Sequence, residues 1–545
     1  MVNALQKNIY LSLFILIGMI TSYFVFFPAI NLHYYFGDAY RYVFGGLGQS
    51  CKADDGFEFM LTLGRPLQAY LDCFVYQFAY NLTRMEMVRT LAVLGMGLSL
   101  GLFAHQLFRL QFSAINAFLA AACIFLIPHL YEDTVWAGAL SLPLALIFTQ
   151  LAYVLWQQAE AQQNKIFFNF TRLSALFLLM IALLTYPAMA FFFITLIATK
   201  FFFISNMSWM ELRKIIYREM VFFVSVCIVY FLYAYFNMKF HALTPVPEAY
   251  RVNHPNLNLM EAGNRLLFIS NFFGLQWEIL RLASTQIAAW LMIGILSGGL
   301  LIVTSQWIRA LLRTQDQSIL CKQSSEKLLV FFMLFVLSSG FFLIIPSGKP
   351  PIMLRFLFGS ITFGLLTIIW SGYQLANSIA IKSNTSMLVL LSACFFVESY
   401  HANANTFVNA MASAQYMKQV AGNIKIYLQH DQSLNRIHYI LTPEDYPYTK
   451  FFMSKQILNQ FLLENNRLTW CSLPRDKIGR EQDHQTEMLA CIEKLAKDDI
   501  AITYSYTNEL YISTAHMLVI DLHQVNPAYF SRENLHKYYH VALNH

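Results

Sequence analysis

Apolar residues run in long unbroken stretches along the first 400 positions and in short alternating or periodic stretches after them. A helix that crosses a bilayer needs about 20 apolar residues. Eleven stretches qualify as candidates: 9–30, 90–108, 111–130, 137–156, 173–186, 188–204, 221–238, 279–303, 328–346, 356–372 and 385–400. The first has too long an apolar run for a cleaved signal peptide, and no small-x-small site precedes Asn31, so it reads as a signal anchor. The stretch 173–204 is too long for one span and is broken at Tyr186-Pro187, which predicts two short spans that turn around on one side. Residues 67–80, apolar but short, read as an interfacial helix lying along the membrane.

After position 400 the pattern changes. Phe407, Met411, Ala414, Met417 and Ala421 recur at helical spacing, predicting a helix over 404–421. Strand-like runs follow at Ile437–Leu441, Leu468–Leu473, Ile500–Tyr504 and Met517–Leu522, with helical stretches near 448–464 and 484–497 between them. This alternation predicts a small α/β domain. The expected fold class is thus an α-helical polytopic membrane protein over 1–400, with about eleven transmembrane helices, followed by a soluble α/β domain over 401–545.

Composition agrees with the first part of that division. Of 545 residues, 57% are hydrophobic, against about 45–50% in soluble domains. Charged residues are 12%, against about 25%. Residues 1–400 hold 24 Lys/Arg and 17 Asp/Glu, whereas 401–545 hold 13 and 14, nearly twice the density. The net charge of +6 is spread too thinly for nucleic-acid binding, and no Lys/Arg-rich run exists.

Charge placement orients the chain. With the N-terminus inside, short inner loops collect Lys7, Arg109, Lys165, Arg172, Lys200, Arg213, Lys214, Arg218, Arg309, Arg313, Lys322, Lys327 and Lys382. The outer loops 31–89 and 241–278 are long and mix both signs, and eleven spans leave the tail outside. Cys51 and Cys73 share the first outer loop, and Cys471 and Cys491 share the tail. Two disulfides on an oxidising side fit this distribution, as does chance pairing of scattered cysteines.

Several chemistries drop out. No GxxxxGK[ST] or GxGxxG occurs, and no inner loop is long enough to fold into a nucleotide-binding domain. The outer histidines His33, His129, His241 and His254 lack ligand spacing, so no metal or other cofactor is assigned. Charges within spans sit at their ends, as at Arg281, Arg355 and Glu398, which disfavours a proton-coupled transporter.

The outer loops carry the informative groups: Asp38, Arg41 and Arg65 in the first, Glu132-Asp133 after the third span, Tyr250-Arg251, and Lys349 with Arg355. Acids and arginines from separate loops at one face suggest sugar transfer from a polyprenyl phosphate. A carboxylate takes the proton from an acceptor hydroxyl, while arginines hold the phosphate as its charge grows. Each group also has a plainer role. Asp38 serves either as a base or as a turn cap. Asp54 and Asp55 read as solvated turn residues. Glu132 and Asp133 also suit a helix N-terminus. Lys349 and Arg355 either bind substrate or anchor a span.

The stretches Gly37-Asp38-Ala39-Tyr40-Arg41 and Gly64-Arg65-Pro66-Leu67 resemble the serotype-converting O-antigen glucosyltransferases, the glucosyl transferase II family. Tyr131-Glu132-Asp133, Tyr186-Pro187 and Arg355-Phe356-Leu357-Phe358-Gly359 add to the likeness, which covers most of residues 1–400. The resemblance implies a GT-C-class enzyme of the bacterial inner membrane with its site on the periplasmic face. It implies an undecaprenyl-phosphate-linked glucose donor and a lipopolysaccharide O-antigen acceptor. It also implies an acidic base in the first outer loop, which falls on Asp38. The family pattern has two adjacent acids there, and this chain has Gly37-Asp38.

The expected activity is therefore a polyprenyl-phosphate-sugar-dependent glycosyltransferase acting on a cell-surface glycan. Asp38 and Asp133 are its candidate catalytic acids, and Arg41, Arg65, Tyr186, Arg251, Lys349 and Arg355 its substrate contacts. The alternatives are a lipid-linked saccharide transporter and a non-enzymatic membrane assembly protein.

Overall fold

The computed structural model describes residues 2–32, 57, 60, 61, 64–79, 82–110, 112–126, 140–161, 165–204, 207–240, 264, 267, 269–283, 286–313, 317–340, 357–378, 385, 388–404, 406–407, 436–440, 502–505 and 517–521. The chain divides into two compact units. The larger comprises Met1–Ile30, Cys51–Val75 and Met87–Thr406; the smaller comprises Asn31–Ser50, Tyr76–Glu86 and Phe407–His545.

The described residues of the larger unit form helices joined by turns and short connections, and some of these helices run at one end into residues of the smaller unit. The elements begin with α1 (Val2–Val25), α2 (Phe27–Asn31), α3 (Pro66–Phe78), α4 (Leu82–Arg109) and α5 (Ala114–Phe125). They continue with α6 (Ser141–Ala161), α7 (Lys165–Thr185), α8 (Pro187–Ala190), α9 (Phe192–Phe203) and α10 (Trp209–Phe240). Then come α11 (Phe272–Ala283), α12 (Gln286–Arg313), α13 (Gln317–Ser338), α14 (Phe358–Ser378) and a last helix over 388–404. Every one of the eleven apolar runs carries helix. Three stretches, Arg84–Arg109, Trp209–Asn237 and Ala289–Gln306, are long and apolar enough to cross a membrane by length and composition. Shorter apolar helices lie at Ile9–Val25, Ala114–Phe125, Asn169–Thr185 and Pro187–Phe203.

Local chemistry sets several boundaries. Ser113 caps α5, its hydroxyl accepting from the Asn116 N–H at 3.3 Å. Tyr186 adopts an extended conformation (φ −151°, ψ 92°) ahead of Pro187, so α7 stops where a residue before proline leaves the helical region. Pro187 then opens α8 at its first position, where its missing N–H has no helical partner to lose. The break expected at Tyr186-Pro187 is present. The single run expected over 279–303 is not one helix, because the rings of Trp277 in α11 and Trp290 in α12 lie 4.3 Å apart, whereas 13 residues of one helix span about 20 Å.

Close helix approach rests on small residues. A methyl group on Gly97 would lie 2.5 Å from Met19 Cα, and one on Gly101 would lie 2.5 Å from Ile15 Cα. The Gly97-x-x-x-Gly101 spacing thus lets α4 pack backbone to backbone against α1. Hydroxyl pairs join other helices: Thr195 with Thr362 at 2.7 Å, and Ser339 with Ser360 at 2.8 Å. Aromatic rings fill the core, with Trp156 stacked on Phe222 at 4.0 Å and Phe193 on Phe223 at 5.4 Å. Outward-facing positions stay apolar, among them Leu16, Phe24, Leu173, Phe177, Leu232 and Leu291. Apolar residues thus cover both the interior and much of the exterior, the pattern of helices surrounded by lipid rather than water.

Charged groups gather at one set of helix ends. Glu160 of α6 pairs with Arg172 of α7 and Arg218 of α10. Lys200 of α9 pairs with Glu219 of α10. Arg213 reaches Glu326 of α13 at 2.7 Å, and the Trp209 indole N–H donates to the same carboxylate at 3.0 Å. All five basic and aromatic members come from segments expected on the inner side.

In the smaller unit the described residues include three strands: β1 (Arg436–Ile440), β2 (Ile502–Ser505) and β3 (Met517–Asp521). They form a parallel sheet in the order β2-β1-β3, with Ile437 opposite Ile502 on one side and Leu518 on the other. The expected strand at Leu468–Leu473 and the helical stretches 448–464 and 484–497 lie outside the described residues, as does most of the helix expected over 404–421.

Candidate functional site

Arg65 is drawn inward by the turn that precedes α3. Gly64 has φ 70°, a left-handed conformation that costs glycine nothing and other residues appreciably. Its N–H donates to Leu61 O at 3.0 Å, and the Arg65 N–H donates to Met60 O at 3.0 Å. The Tyr230 hydroxyl of α10 donates to Gly64 O at 3.1 Å and pins the turn to the helix bundle. Pro66 then starts α3, and Arg65 O accepts from the Ala69 N–H at 3.0 Å.

α3 is two-sided. Tyr70 and Phe74 point outward, being 62% and 71% exposed. Gln68, Ala69, Asp72 and Cys73 are buried on the other side, continuing from Arg65 at helical spacing. Cys73 is disulfide-bonded, and its expected partner Cys51 lies outside the described residues. Among the described residues Cys123, Cys227 and Cys394 are free.

The Arg65 guanidinium sits 4.3 Å from the centre of the Tyr186 ring, a cation–π contact. Its Nη1 donates to Gln68 Oε1 at 3.4 Å, a long bond. Arg65 Nε and the Tyr186 hydroxyl are buried with no hydrogen-bond partner among the described residues, while the Asp72 carboxyl accepts from the Gln68 amide. Arg65 has no ion pair among them either. Burial pushes the Asp72 carboxyl up to about 8, against the opposing pull of Gln68 and the Arg65 charge. Burial thus favours the protonated form of Asp72, beside a guanidinium sheltered from water.

A buried charge without a counter-charge is costly, and each orphaned buried polar group costs about 1–3 kcal/mol. The cluster therefore favours an anion that can accept from several donors at once. Phosphate matches the guanidinium geometry.

Of the residues expected at the site, Arg65 and Tyr186 are brought together. Asp38, Arg41, Asp133, Arg251, Lys349 and Arg355 lie outside the described residues. Gln68, Asp72 and Tyr230 were not anticipated. The signal for two of them was present in the sequence: positions 65, 68 and 72 share one helical face, and a stripe of Arg, Gln and Asp on a short apolar helix is unusual.

A second polar feature is less suited to chemistry on a sugar. Cys123, Met292, Leu391, Cys394 and Glu398 line a cavity of about 30 Å³, with Glu398 buried. That space suits a water molecule rather than a saccharide. Among the described residues no group of three or more His, Cys, Asp or Glu is placed to hold a metal ion. No family model matches this chain, and no curated protein matches it significantly.

Proposed function

We propose that this chain is an integral-membrane glycosyltransferase of the bacterial inner membrane. It takes a sugar, glucose by the resemblance, from an undecaprenyl-phosphate carrier and passes it to a cell-surface glycan such as lipopolysaccharide O-antigen on the periplasmic face. The observation that carries this reading is the buried Arg65 guanidinium over Tyr186 with no carboxylate paired to it among the described residues. A lipid-linked phosphate supplies the missing anion, and its charge grows as the sugar leaves, so a fixed buried cation favours the transition state.

The orientation follows the same logic. Arg65, Tyr186 and Tyr230 meet at helix positions opposite the cluster around Glu160 and Lys200. Arg172 and Tyr186 are about 21 Å apart along α7 at 1.5 Å per residue. The basic cluster takes the cytoplasmic side, and the Arg65 group takes the periplasmic side. About eleven spans then carry residues 1–400. The tail 401–545 is a periplasmic α/β domain, a reading supported by the parallel pairing of β1 with β2 and β3, which requires crossover connections.

In this scheme Asp38 is the base for the acceptor hydroxyl, and Asp133 orients acceptor or sugar. Arg41, Arg251, Lys349 and Arg355 contact phosphate or sugar alongside Arg65. The test is Asp38→Asn in the full chain: transfer to the surface glycan is lost while the protein still reaches the membrane at its normal level. Near-normal transfer by that variant removes Asp38 from the mechanism.

A further inference from the structure

We propose that Asn403 is a positioning residue for the first outer loop: it ties the root of the tail to the helix break from which that loop departs. The inference rests on the reading of Asp38, in that loop, as the base for the acceptor hydroxyl.

The break is written into the sequence. Pro28 has no N–H, so Phe24 O, four residues back, has no helical donor. The Ala29 N–H, which in an unbroken helix serves Val25 O, donates to Phe26 O at 2.9 Å. α1 accordingly ends at Val25, and α2 starts at Phe27. Phe26, Pro28, Ala29 and Ile30 are buried, so the carbonyls freed beside them draw their donors from side chains.

Two side chains from distant parts of the chain supply those donors. Asn403 Nδ2, on the last helix, donates to Val25 O at 2.9 Å and makes a longer bond to Phe24 O at 3.4 Å. One amide group, with its two N–H bonds, thus serves both carbonyls that the break leaves over. Arg89 of α4, which is 1% exposed, donates from Nε to Ala29 O at 2.7 Å. The charged donor makes this the firmer attachment, and Asn403 completes it from the other end of the sequence.

The joint also lies where the chain changes units. The chain leaves the larger unit at Asn31, two residues after Ala29, and at Phe407, four residues after Asn403. It returns at Met87, two residues before Arg89. All the bonded residues belong to the larger unit, and three of the segments that lead into the smaller one are rooted at them. One of these segments, Asn31–Ser50, carries Asp38, and another, Phe407–His545, is the tail. Without the Asn403 bonds α2 keeps only the Arg89 attachment, and the direction in which the loop departs is less fixed. A reacting group misplaced by about 1 Å loses up to about 100-fold in rate.

The experiment compares the full wild-type chain with Asn403→Ala and with the double variant Pro28→Ala/Asn403→Ala. Pro28→Ala gives Phe24 O a backbone donor, so the helix no longer needs the amide, but it also removes the break that aims the loop. Amide hydrogen exchange over residues 24–32 in detergent reads the tie. Transfer of glucose from undecaprenyl-phosphate glucose to lipopolysaccharide reads its consequence. Exchange in Asn403→Ala is about fivefold faster, the worth of one net hydrogen bond. Its kcat falls about tenfold while KM for the donor stays the same, because the phosphate contacts are untouched. The double variant regains wild-type exchange and melting temperature but not kcat. Unchanged exchange in Asn403→Ala overturns the proposal. So does a kcat that returns together with stability in the double variant, which would make Asn403 a structural residue only. A wild-type chain with no transfer overturns the glycosyltransferase reading and this inference with it, whereas normal transfer by Asn403→Ala overturns this inference alone.

Discussion

The Arg65 guanidinium lies over the Tyr186 ring at 4.3 Å from its centre, joining the first loop of the chain to the break between α7 and α8. Both residues are buried, and the two flanking features that hold them, Gly64 and Pro187, are backbone devices rather than side-chain contacts. The contact fixes a cation where an anionic substrate group can meet it.

Tyr186 contributes through its ring and its hydroxyl separately. Tyr186→Phe keeps the ring under Arg65 and removes an orphaned hydroxyl, so detergent-solubilised protein melts at or slightly above the wild-type temperature. Tyr186→Leu loses the cation–π contact, worth about 2 kcal/mol where desolvated, and melts lower. Glycan transfer falls further in the Leu variant than in the Phe variant. Equal melting temperatures for the two would show that the ring contact adds nothing.

Asp72 makes stability depend on pH. Its folded-state value is raised from 3.8 to about 8, so between those limits the folded chain holds a proton that the unfolded chain has released. Stability from this group is fully present below about pH 4 and is lost progressively as pH rises to about 8. Asp72→Asn removes that dependence. Melting curves across this window show the variant gaining on the wild type toward pH 8, and parallel curves would place Asp72 in a more hydrated setting.

Lys200 and Glu219 form a pair that is nearly enclosed on the carboxylate side. Lys200→Met leaves Glu219 without its counter-charge and destabilises by about 3–5 kcal/mol. Adding Glu219→Leu restores most of the loss, because an apolar pair is as well suited to a buried position as the ion pair it replaces. Chemical or thermal unfolding of both variants measures this, and a double variant no better than the single one would contradict it.

The α1–α4 crossing depends on absent side chains. Gly101→Leu forces the two backbones apart and destabilises by about 1–3 kcal/mol, as overpacking does. Gly294 on α12 has open space where a methyl group would sit, with no neighbouring atom within 4 Å of it, so Gly294→Ala is neutral or mildly stabilising. Comparable losses at both positions would mean that intrinsic helix effects, not the close approach, govern the outcome.

Much of the helical layout was readable from the sequence because lipid-spanning length imposes long apolar runs, and the α7–α8 break because proline dictates the conformation before it. The separation of α11 from α12 was hidden, since hydropathy averages over an apolar run that includes parts of both. Arg65 was recognised from its loop and Tyr186 from its motif, but their contact joins distant parts of the chain, and nothing local encodes such a pairing. Gln68 and Asp72 escaped notice for a different reason. Their shared helical face with Arg65 is visible in the sequence, but only the fold shows that this face is the buried one.

Transfer of a sugar to a surface glycan leaves a chemical record on the cell. Glycan composition and linkage, compared between cells carrying the intact gene and cells lacking it, read that record without any intermediate assumption. One added hexose per repeating unit is expected, and it disappears with the gene and with Asp38→Asn. Identical glycans with and without the gene would refute glycosyl transfer by this chain.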